Sequence, residues 1–280
     1  MASLINDKNL SFVITSYKSE ENILNCLNSI PEEYEKIIIE NSNDHKLKKK
    51  LEDTYKNLKC YPVEENLGYG TANNKGIKYS KKEYIFIVNP DVVFPEKTLN
   101  KIFKILKNQD FSVAGFLEKN NLEENSFTQN KHIIKEVDFV RGFAMVLNMK
   151  KMFNILFDEK IFLYLEEIDL CKRVKDKGGK IILLDIFIDH LGGKSHGNQF
   201  DLEMEKSRNW HWMWSLFYYN KKHKGYIYSI IKTSPKFLVS VFKYFLYFIL
   251  INKKKREIYK MRMLGLFNSY LLNKSFYRPF

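Results

Sequence analysis

The most informative stretch of the sequence is Ile85-Phe86-Ile87-Val88-Asn89-Pro90-Asp91, an apolar run that ends abruptly at a carboxylate. Its β-branched and aromatic residues predict a buried β-strand. In open α/β sheets, ligands bind just beyond the carboxyl ends of the strands. Asp91 therefore stands where a ligand is expected, although an aspartate after a proline is also common in ordinary turns.

Strand and helix patterns alternate along the first 115 residues. Apolar runs predict strands at 12–14, 37–39, 58–63 and 84–88, and helical patterns lie at 20–29, after Ser42, at 71–79 and at 96–108. Ser19 is the expected N-cap of the first helix. This alternation predicts an α/β fold with a mostly parallel sheet covered by helices. Four polar residues come just after predicted strands, at the edge where a ligand should bind: Thr15, Glu40, Asn66 and Asp91.

The pattern changes after residue 120. We expect a loop at 120–130, extended chain at 137–147 with a break at Arg141-Gly142, a helix at 167–177, and two strands at 181–184 and 187–188. We place the domain boundary near Asp201. The expected organisation is an α/β domain at 1–200 and a helical, basic, apolar C-terminal region at 201–280.

The positive charge of the protein lies in this C-terminal region. From Lys206 onward there are 16 Lys and Arg and one acid, Glu257, for a net +15, whereas residues 1–205 carry 30 basic and 32 acidic residues. Such a segment typically meets nucleic acid or an anionic membrane. No nucleic-acid-binding motif is present, so we expect no nucleic-acid partner.

Residues 237–251 are apolar except for Ser240 and Lys243, and Lys253-Lys254-Lys255-Arg256 follow at once. The run is shorter than the roughly 20 residues of a bilayer-spanning helix. We expect a helix that lies on an anionic membrane surface. A core helix with a solvated basic flank is the alternative.

The three cysteines, Cys26, Cys60 and Cys171, are scattered and not in CxxC spacing, so neither a disulfide framework nor a zinc site is predicted. Residues 1–10 lack the apolar stretch of a secretory signal. We therefore expect a cytoplasmic protein that is peripheral at the inner face of the cell membrane.

Further candidate residues lie in three segments. The turn from Asn66 to Gly76 enters a helix whose N-terminal amides could bind an anion, but it lacks the third glycine of a dinucleotide fingerprint. His190 ends another apolar run, and together with Asp91 it could hold a divalent cation. The acids Glu166, Glu167 and Asp169 open a helix; the helix dipole alone favours acids there, but one of them could accept a proton from a sugar hydroxyl.

In the order of these segments the chain resembles glycosyltransferase family 2, in particular its rhamnosyltransferase-like bacterial members. The resemblance covers about residues 10–195. Its motifs are Thr15-Ser16-Tyr17, Glu40-Asn41-Ser42, the turn from Asn66 to Gly76, Asn89-Pro90-Asp91, and the segment from Glu166 to Cys171 followed by His190-Leu191-Gly192-Gly193.

The resemblance implies a GT-A (Rossmann-like) fold and an inverting transfer from a nucleotide diphosphate sugar. It implies Mg²⁺ or Mn²⁺ on Asp91 with help from His190, and Glu167 as the catalytic base with Asp169 as the runner-up. The residues expected to bind the nucleotide are Thr15, Ser16, Tyr17, Glu40, Asn66, Gly68, Asn74 and Asn89. Those expected near the donor sugar and the acceptor are Arg141, Gly142, Phe143, Tyr164 and Glu166.

Three positions depart from the family pattern. Asn89-Pro90-Asp91 stands in place of Asp-x-Asp, so one carboxylate fewer faces the metal. Glu40 and Glu167 both stand where Asp is common. The extra methylene of Glu167 could move the base, which keeps Asp169 as a candidate.

The function expected from the resemblance is transfer of L-rhamnose from dTDP-rhamnose to a glycan acceptor, lipid-linked by preference, in cell-surface polysaccharide synthesis. A homodimer is left open. Two alternatives remain. A sugar nucleotidyltransferase would want a Gly-rich basic loop after the first strand, where this chain has Thr15-Ser16-Tyr17-Lys18-Ser19. A non-catalytic membrane-associated subunit could have the same fold with a decayed site.

Overall fold

The computed structural model describes residues 5–119, 134–190 and 201–278, and the chain forms two compact units. The first unit holds the β-sheet and its helices. The second unit contains Gly68–Gly70, Asp158–Glu166 and the C-terminal helices. Two predicted features lie outside the described residues: the loop at 120–130 and the segment Leu191-Gly192-Gly193.

The first unit alternates strands and helices over its first half. The strands are β1 (Leu10–Ser16), β2 (Glu35–Glu40), β3 (Leu58–Pro62), β4 (Tyr84–Val88), β5 (Val92–Val93), β6 (Val113–Glu118), β7 (Ile134–Glu136), β8 (Ala144–Asn148) and β9 (Ile181–His190). The helices are α1 (Glu20–Asn28), α2 (His45–Thr54), α3 (Tyr69–Tyr79), α4 (Thr98–Leu106) and α5 (Glu166–Asp176).

The strands form one sheet in the order β3-β2-β1-β4-β8-β6-β9-β5, and β7 pairs with β9. Pairing is parallel from β3 through β4 and antiparallel on both sides of β8, so the sheet is mixed. The α/β prediction is therefore confirmed. Parallel pairing brings the carboxyl ends of β1, β2 and β4 to one edge, which is the edge that carries the candidate site.

Aromatic side chains fill the core on one side of the sheet. Phe86 stacks on Phe12 at 5.2 Å and on Phe116 at 5.5 Å between ring centroids. Strands buried on both faces are rich in apolar residues, and every residue of β1 and β4 is buried. This rigid centre fixes the strand ends that position Asp91.

The sequence expectations differ from the structure in three local details. Ser19 precedes α1 but donates its hydroxyl hydrogen to the carbonyl oxygen of Tyr17 at 2.9 Å instead of capping the helix. The two strands expected at 181–188 are one ten-residue strand, β9. The extended chain expected at 137–147 is regular only from Ala144, because 137–143 crosses between β7 and β8 as irregular backbone.

The second unit consists mainly of three helices, α6 (Asp201–Lys224), α7 (Tyr226–Ile249) and α8 (Lys253–Tyr270). Trp210 and Trp214 of α6 pack with Met261 of α8. A Cβ on Gly265 would collide with the backbone of Trp210, so glycine permits the close approach of α6 and α8. Among the described helices, none has the length and apolar character needed to cross a bilayer.

Candidate functional site

The ends of β1 and β4 carry buried polar atoms that have no partner within the described part of the chain. The two strands are parallel neighbours, with Ile14 beside Val88, so Ser16 and Asp91 reach the same edge of the sheet. The unpartnered atoms are Ser16 Oγ, Asn89 Oδ1 and Asp91 Oδ1. Since buried polar groups are normally hydrogen-bonded, three such atoms at one sheet edge indicate a place that a ligand completes.

His190 faces Asp91 across a short antiparallel pair of strands. β5 pairs with β9 so that Val92 lies opposite His190, and this places His190 Nε2 3.3 Å from Asp91 Oδ1. The two side chains form an ion pair when His190 is protonated, and Asp91 contributes to the raised pKa of His190.

Glu118, at the end of β6, orients the imidazole from its other side. His190 Nδ1 lies 2.8 Å from Glu118 Oε1, and Arg141 donates to Oε2 of the same carboxylate. Burial acts to lower the pKa of His190, but Asp91 and Glu118 outweigh it and the net shift of this pKa is upward. A histidine whose Nδ1 binds a carboxylate presents Nε2 outward, as metal-binding histidines do.

The pair formed by Asp91 and His190 fits a divalent cation. Two adjacent ligands of an octahedral ion, each about 2.1 Å from the metal, lie about 3 Å apart, and the observed Oδ1 to Nε2 separation is 3.3 Å. In the ranges that the structure describes, no three His, Cys, Asp or Glu side chains converge to hold a metal. The described residues thus offer two candidate ligands to such an ion, Asp91 and His190.

Phe143 closes the buried side of this cluster. Its ring stacks on His190 at 4.9 Å and 16°, and its carbonyl oxygen accepts a hydrogen bond from the backbone amide of Asn89 at 2.8 Å. Asn89 Nδ2 lies 3.5 Å from His190 Nε2. The structure therefore groups Asn89, Asp91, Phe143 and Glu118 around His190, with Arg141 bound to Glu118 and Gly142 between Arg141 and Phe143.

Glu40 holds the loop that follows β2. Its carboxylate accepts hydrogen bonds from the backbone amides of Ser42 at 3.0 Å and Asp44 at 2.7 Å, and from the Ser42 hydroxyl. Glu40 is fully buried. Its visible role is to shape this loop at the carboxyl edge of the sheet.

Tyr17 lies beside Glu40 and Asn66. Burial and the Glu40 charge raise the pKa of Tyr17, while a hydrogen bond with Asn66 opposes the shift. Thr15 Oγ1 donates to Asn73 Oδ1 of α3 at 3.2 Å. Four residues expected to bind nucleotide, Thr15, Tyr17, Glu40 and Asn66, therefore lie along the ends of β1 and β2.

Asn74 is engaged with the backbone of Phe157. Its amide nitrogen donates to the Phe157 carbonyl, and its amide oxygen accepts from the Phe157 amide, both at 2.9 Å. Asn74 is also buried. Through these two hydrogen bonds, Asn74 holds the backbone at Phe157 in place.

Glu167 lies in the first turn of α5 and is half-buried. Burial raises the pKa of Glu167, and backbone amides at the helix start partly offset this effect. A partly desolvated carboxylate at a helix N-terminus is suited to accept a proton near neutral pH.

Asp169 is fully buried in an ion pair. Arg173 Nε donates to Asp169 Oδ2 at 2.7 Å, and Arg173 Nη2 donates to the Leu156 carbonyl at 2.7 Å. Removing one partner from such a pair leaves a buried charge. Asp169 therefore has a clear structural task, whereas Glu167 has no salt bridge within the described part of the chain.

A short path of contacts links α5 to the cluster around Glu118. Cys171, one turn after Glu167, is hydrogen-bonded to the backbone of Val140. Val140 precedes Arg141, which binds Glu118. Within the first unit, the start of α5 and the pair of Asp91 and His190 are thus joined through neighbouring residues.

Gly68, Tyr164 and Glu166 belong to the second unit. Burial raises the pKa of Tyr164 to about 12, with Arg208 lowering it and Glu166 raising it. The Tyr164 ring lies edge-on to Trp212 at 5.5 Å. Tyr164 and Leu165 both have positive φ, at 71° and 69°, a strained conformation that is typical of functional sites.

Gly68 is expected to resist substitution more strongly than a comparable glycine. Gly68 has φ of 78°, and a Cβ there would collide with the carbonyl oxygen and ring of Phe162. Gly178 has φ of 87° and open space around it, so Gly178→Ala should cost only the backbone strain of roughly 1–2 kcal/mol. We expect Gly68→Ala to cost about 1–3 kcal/mol more, measured by chemical denaturation. Equal losses would mean that Phe162 moves aside.

Glu118 was not predicted from the sequence, although a signal exists. Val113-Ala114-Gly115-Phe116-Leu117 is an apolar run that ends at this acid, which is the same pattern that identified Asp91. The glycine and alanine weaken the strand pattern, and the pairing with β9 that brings Glu118 to His190 is long-range.

Comparison with known proteins indicates the family of this chain. The glycosyl transferase family 2 model matches residues 11–165, more than half of the chain. The low-salt glycan biosynthesis hexosyltransferase Agl10 of Haloferax volcanii is 25% identical over 59% of this chain, which spans only 61% of that relative's length. An uncharacterized glycosyltransferase of Methanocaldococcus jannaschii is 24% identical over 89% of this chain and 95% of its own length. The rhamnosyltransferase WbbL of Escherichia coli is 24% identical over 62% of this chain and 80% of its own length.

Solved structures agree on the fold. Residues 1–349 of S. aureus TarS, in complex with UDP-GlcNAc, match with a TM-score of 0.53 at 14% identity over 96% of this chain and 93% of that one. The mannosyltransferase PcManGT from Pyrobaculum calidifontis, in complex with GDP-Man and Mn²⁺, matches with a TM-score of 0.53 at 11% identity over 95% and 86%. The expected GT-A fold is confirmed, and with the family model it confirms the resemblance in the motifs: the chain belongs to glycosyl transferase family 2.

Proposed function

We propose that this chain transfers a sugar from a nucleotide diphosphate to an acceptor hydroxyl with inversion at the anomeric carbon. The observation that carries the proposal is the pair of Asp91 Oδ1 and His190 Nε2, 3.3 Å apart at the carboxyl edge of β4. A buried carboxylate and an imidazole at this position suit the diphosphate of the donor through a divalent cation.

Asp91 and His190 would hold Mg²⁺ or Mn²⁺, whose positive charge would neutralise the departing diphosphate. Glu118 keeps the His190 ring oriented, and Arg141 keeps Glu118 in place. Cation binding at Nε2 would displace a proton from His190, since metal ligands must be deprotonated. The loop held by Glu40, together with Tyr17 and Asn66, would contact the nucleoside.

Glu167 would accept the proton of the acceptor hydroxyl. As the hydroxyl oxygen forms its bond to the anomeric carbon, the bond from that carbon to the phosphate oxygen breaks and its electron pair leaves with the diphosphate. Asp169 fits this role less well because its carboxylate is buried against Arg173. The base in the proposal is therefore Glu167.

For the donor we propose dTDP-L-rhamnose, and for the acceptor a lipid-linked glycan. The donor rests on the motif resemblance and on similarity to a relative named as a rhamnosyltransferase. Another relative is named as a hexosyltransferase, so the screen must include other hexose donors. Tyr164 and Trp212, with the Arg208 charge near Tyr164, are the surface proposed to contact the acceptor.

A thermal-shift screen with Mn²⁺ tests the proposal. The correct nucleotide sugar should raise the melting temperature by several degrees, because it binds only the folded protein, and release of nucleoside diphosphate should follow when the acceptor is added. Pyrophosphate release from a nucleoside triphosphate and sugar phosphate would favour the nucleotidyltransferase alternative. No stabilisation by any nucleotide sugar would favour a non-catalytic subunit.

We further propose that α7 lies on an anionic membrane surface, which makes the protein peripheral. Its outer face carries large apolar side chains at helical spacing, with exposed fractions of 74% for Ile227, 67% for Phe242 and 74% for Ile249. The side that packs inward instead carries Ser229, Thr233 and Ser240, all buried. A helix with small hydroxyl residues inward and large apolar residues outward requires an apolar partner.

The charges around α7 favour lipid over a second protein copy. Lys253, Lys254 and Lys255 are exposed and directly follow the helix. Lys255 lies 5.3 Å from the Tyr247 ring centroid and Arg256 lies 5.6 Å from that of Phe248. Aromatic rings beside cations are typical of the membrane interface, and anionic headgroups would offset the charge of the region.

Substitution of the outer face of α7 is expected to release the protein from vesicles. The variant Phe242→Ser/Phe245→Ser/Ile249→Ser should weaken binding to phosphatidylglycerol vesicles by at least about a hundredfold, because each buried side chain contributes roughly 1.5–3 kcal/mol. Vesicle co-sedimentation measures the loss. Point substitutions are preferable to deletion because α8 packs on Trp210 of α6.

The matched control is Phe139→Ser/Phe153→Ser, which removes two exposed aromatic rings from the first unit. It should leave vesicle binding unchanged. A lipid-free dimer that the α7 variant dissociates would instead identify this face as a protein interface and would contradict the membrane proposal.

A further inference from the structure

The helical unit contains a cavity of about 590 Å³ that none of the proposed catalytic residues lines. Its floor is formed by three aromatic residues of α6: Trp214, Phe217 and Tyr218. Trp214 and Tyr218 stack at 5.0 Å and 13°. The volume is in the range of small-molecule sites, and aromatic lining residues suit an apolar chain or the C–H face of a sugar.

Positive charges surround this floor. Lys160, Lys221, Lys274 and Arg278 line the cavity, and among the residues that the structure describes one acid, Glu159, lines it with them. In the described part of the chain, none of the three lysines forms a salt bridge, whereas Lys222 next to one of them binds Asp158 at 2.6 Å. Because these three lysines line one cavity, an anion bound among them would be stabilised.

The cavity wall is held in place by hydrogen bonds from α6. Trp214 Nε1 donates to the Asn273 carbonyl at 3.0 Å, His211 Nε2 lies 2.8 Å from the Tyr277 carbonyl, and His211 Nδ1 lies 3.0 Å from Ser275 Oγ. Burial lowers the pKa of His211 to about 3. A neutral imidazole that donates at Nε2 and accepts at Nδ1 fits these contacts, so the wall is formed before any ligand binds.

Exposed apolar side chains lie at the cavity. Leu272 lines it and is 57% exposed, and the neighbouring side chain of Leu271 is 58% exposed. Phe217 on the floor lies edge-on to Tyr226, the first residue of α7, at 5.6 Å. The cationic cavity is thus connected by contacts within this unit to the helix whose outer face is apolar.

We propose that this cavity binds the phosphate or diphosphate group of an amphiphilic acceptor whose apolar chain leaves past Leu272. The proposal rests on the proposed glycosyltransferase function and assigns a binding site to its lipid-linked acceptor. The lysines and Arg278 provide charge-assisted hydrogen bonds to phosphate oxygens. The aromatic floor contacts the first apolar units of the chain.

The test uses the full-length protein without donor, and farnesyl diphosphate as the probe. Titration calorimetry and tryptophan fluorescence should both report binding, whereas farnesol should bind at least about tenfold more weakly because it lacks the charged group. The variant Lys221→Ala/Lys274→Ala should weaken farnesyl diphosphate binding by about tenfold or more. The matched control Lys232→Ala/Lys236→Ala removes the same charge from exposed positions of α7 outside the cavity and should bind as the wild type does.

Three results would overturn the proposal: equal binding of farnesol, equal binding of inorganic pyrophosphate, or no effect of the Lys221/Lys274 substitutions. The outcome is separable from that of the proposed function. Glu167→Gln should bind farnesyl diphosphate normally because Glu167 does not line the cavity. Loss of transfer with intact acceptor binding would then concern the catalytic proposal alone.

Discussion

Glu167→Gln is expected to lower turnover by about 10²–10⁴, the usual contribution of a positioned general base. The amide keeps the size of the side chain but cannot take the acceptor proton. Nucleotide affinity should persist, because the residues proposed to hold the diphosphate are Asp91 and His190. Steady-state transfer assays together with calorimetric titration of the donor nucleotide separate the two effects.

The pH profile gives a second, independent readout. Burial raises the pKa of Glu167, and the base must be ionised to act, so the acidic limb of kcat/KM should lie above the ordinary glutamate value of about 4.3. In Glu167→Gln the part of this limb that belongs to Glu167 should vanish, and the part that reflects deprotonation of His190 should remain. Unchanged turnover in the variant would remove Glu167 from the base role.

Stability should move in the opposite direction from activity. A carboxyl group whose folded-state pKa is raised destabilises the fold at pH values above that pKa, and this cost disappears as the pH falls through it. Glu167→Gln should therefore melt at or above the wild-type temperature at neutral pH. Asp169→Asn, by contrast, leaves the Arg173 charge partly unpaired and should lower the melting temperature.

The strands and helices in the first half of the chain could be predicted from the sequence because local residue patterns specify them. The strand from Tyr84 to Val88 was predicted with its observed bounds, since an unbroken apolar run of five residues is typical of a buried strand. Parallel pairing alone then places the polar residues after β1, β2 and β4 at one edge of the sheet. The placement of Thr15, Glu40 and Asp91 at this edge could therefore be predicted without knowledge of long-range contacts.

The contacts around the candidate site could not be read in this way. Glu118 meets His190 only because β6 pairs with β9 in parallel, and no local pattern records that pairing. The amide contacts of Asn74 depend on Phe157, 83 positions later in the chain. For α7, periodicity showed an apolar helix, but only packing shows that Ser229 and Thr233 lie inside and Phe242 outside.

Asp91→Ala is expected to abolish the metal-dependent part of nucleotide binding. The buried carboxylate supplies the negative charge of the proposed cation site, and His190 alone provides one neutral ligand, which holds Mg²⁺ poorly. Calorimetry with a nucleoside diphosphate should show an affinity in Mn²⁺ that falls to the value measured with a chelator. Glu118→Gln, which only loosens the orientation of the His190 ring, should lose an intermediate 10–100-fold in metal affinity, roughly as for other groups behind metal ligands.

Asp189→Ala is the matched control, because it removes a carboxylate from the residue beside His190. Asp189 is half-exposed and pairs with Lys119 at 3.7 Å, and alternation along β9 turns its side chain to the opposite face from that of His190. The metal-dependent nucleotide binding of the Asp189→Ala variant should equal that of the wild type. If Asp91→Ala retained the full difference between Mn²⁺ and chelator, the diphosphate would bind elsewhere, and the buried Oδ1 of Asp91 would require another explanation.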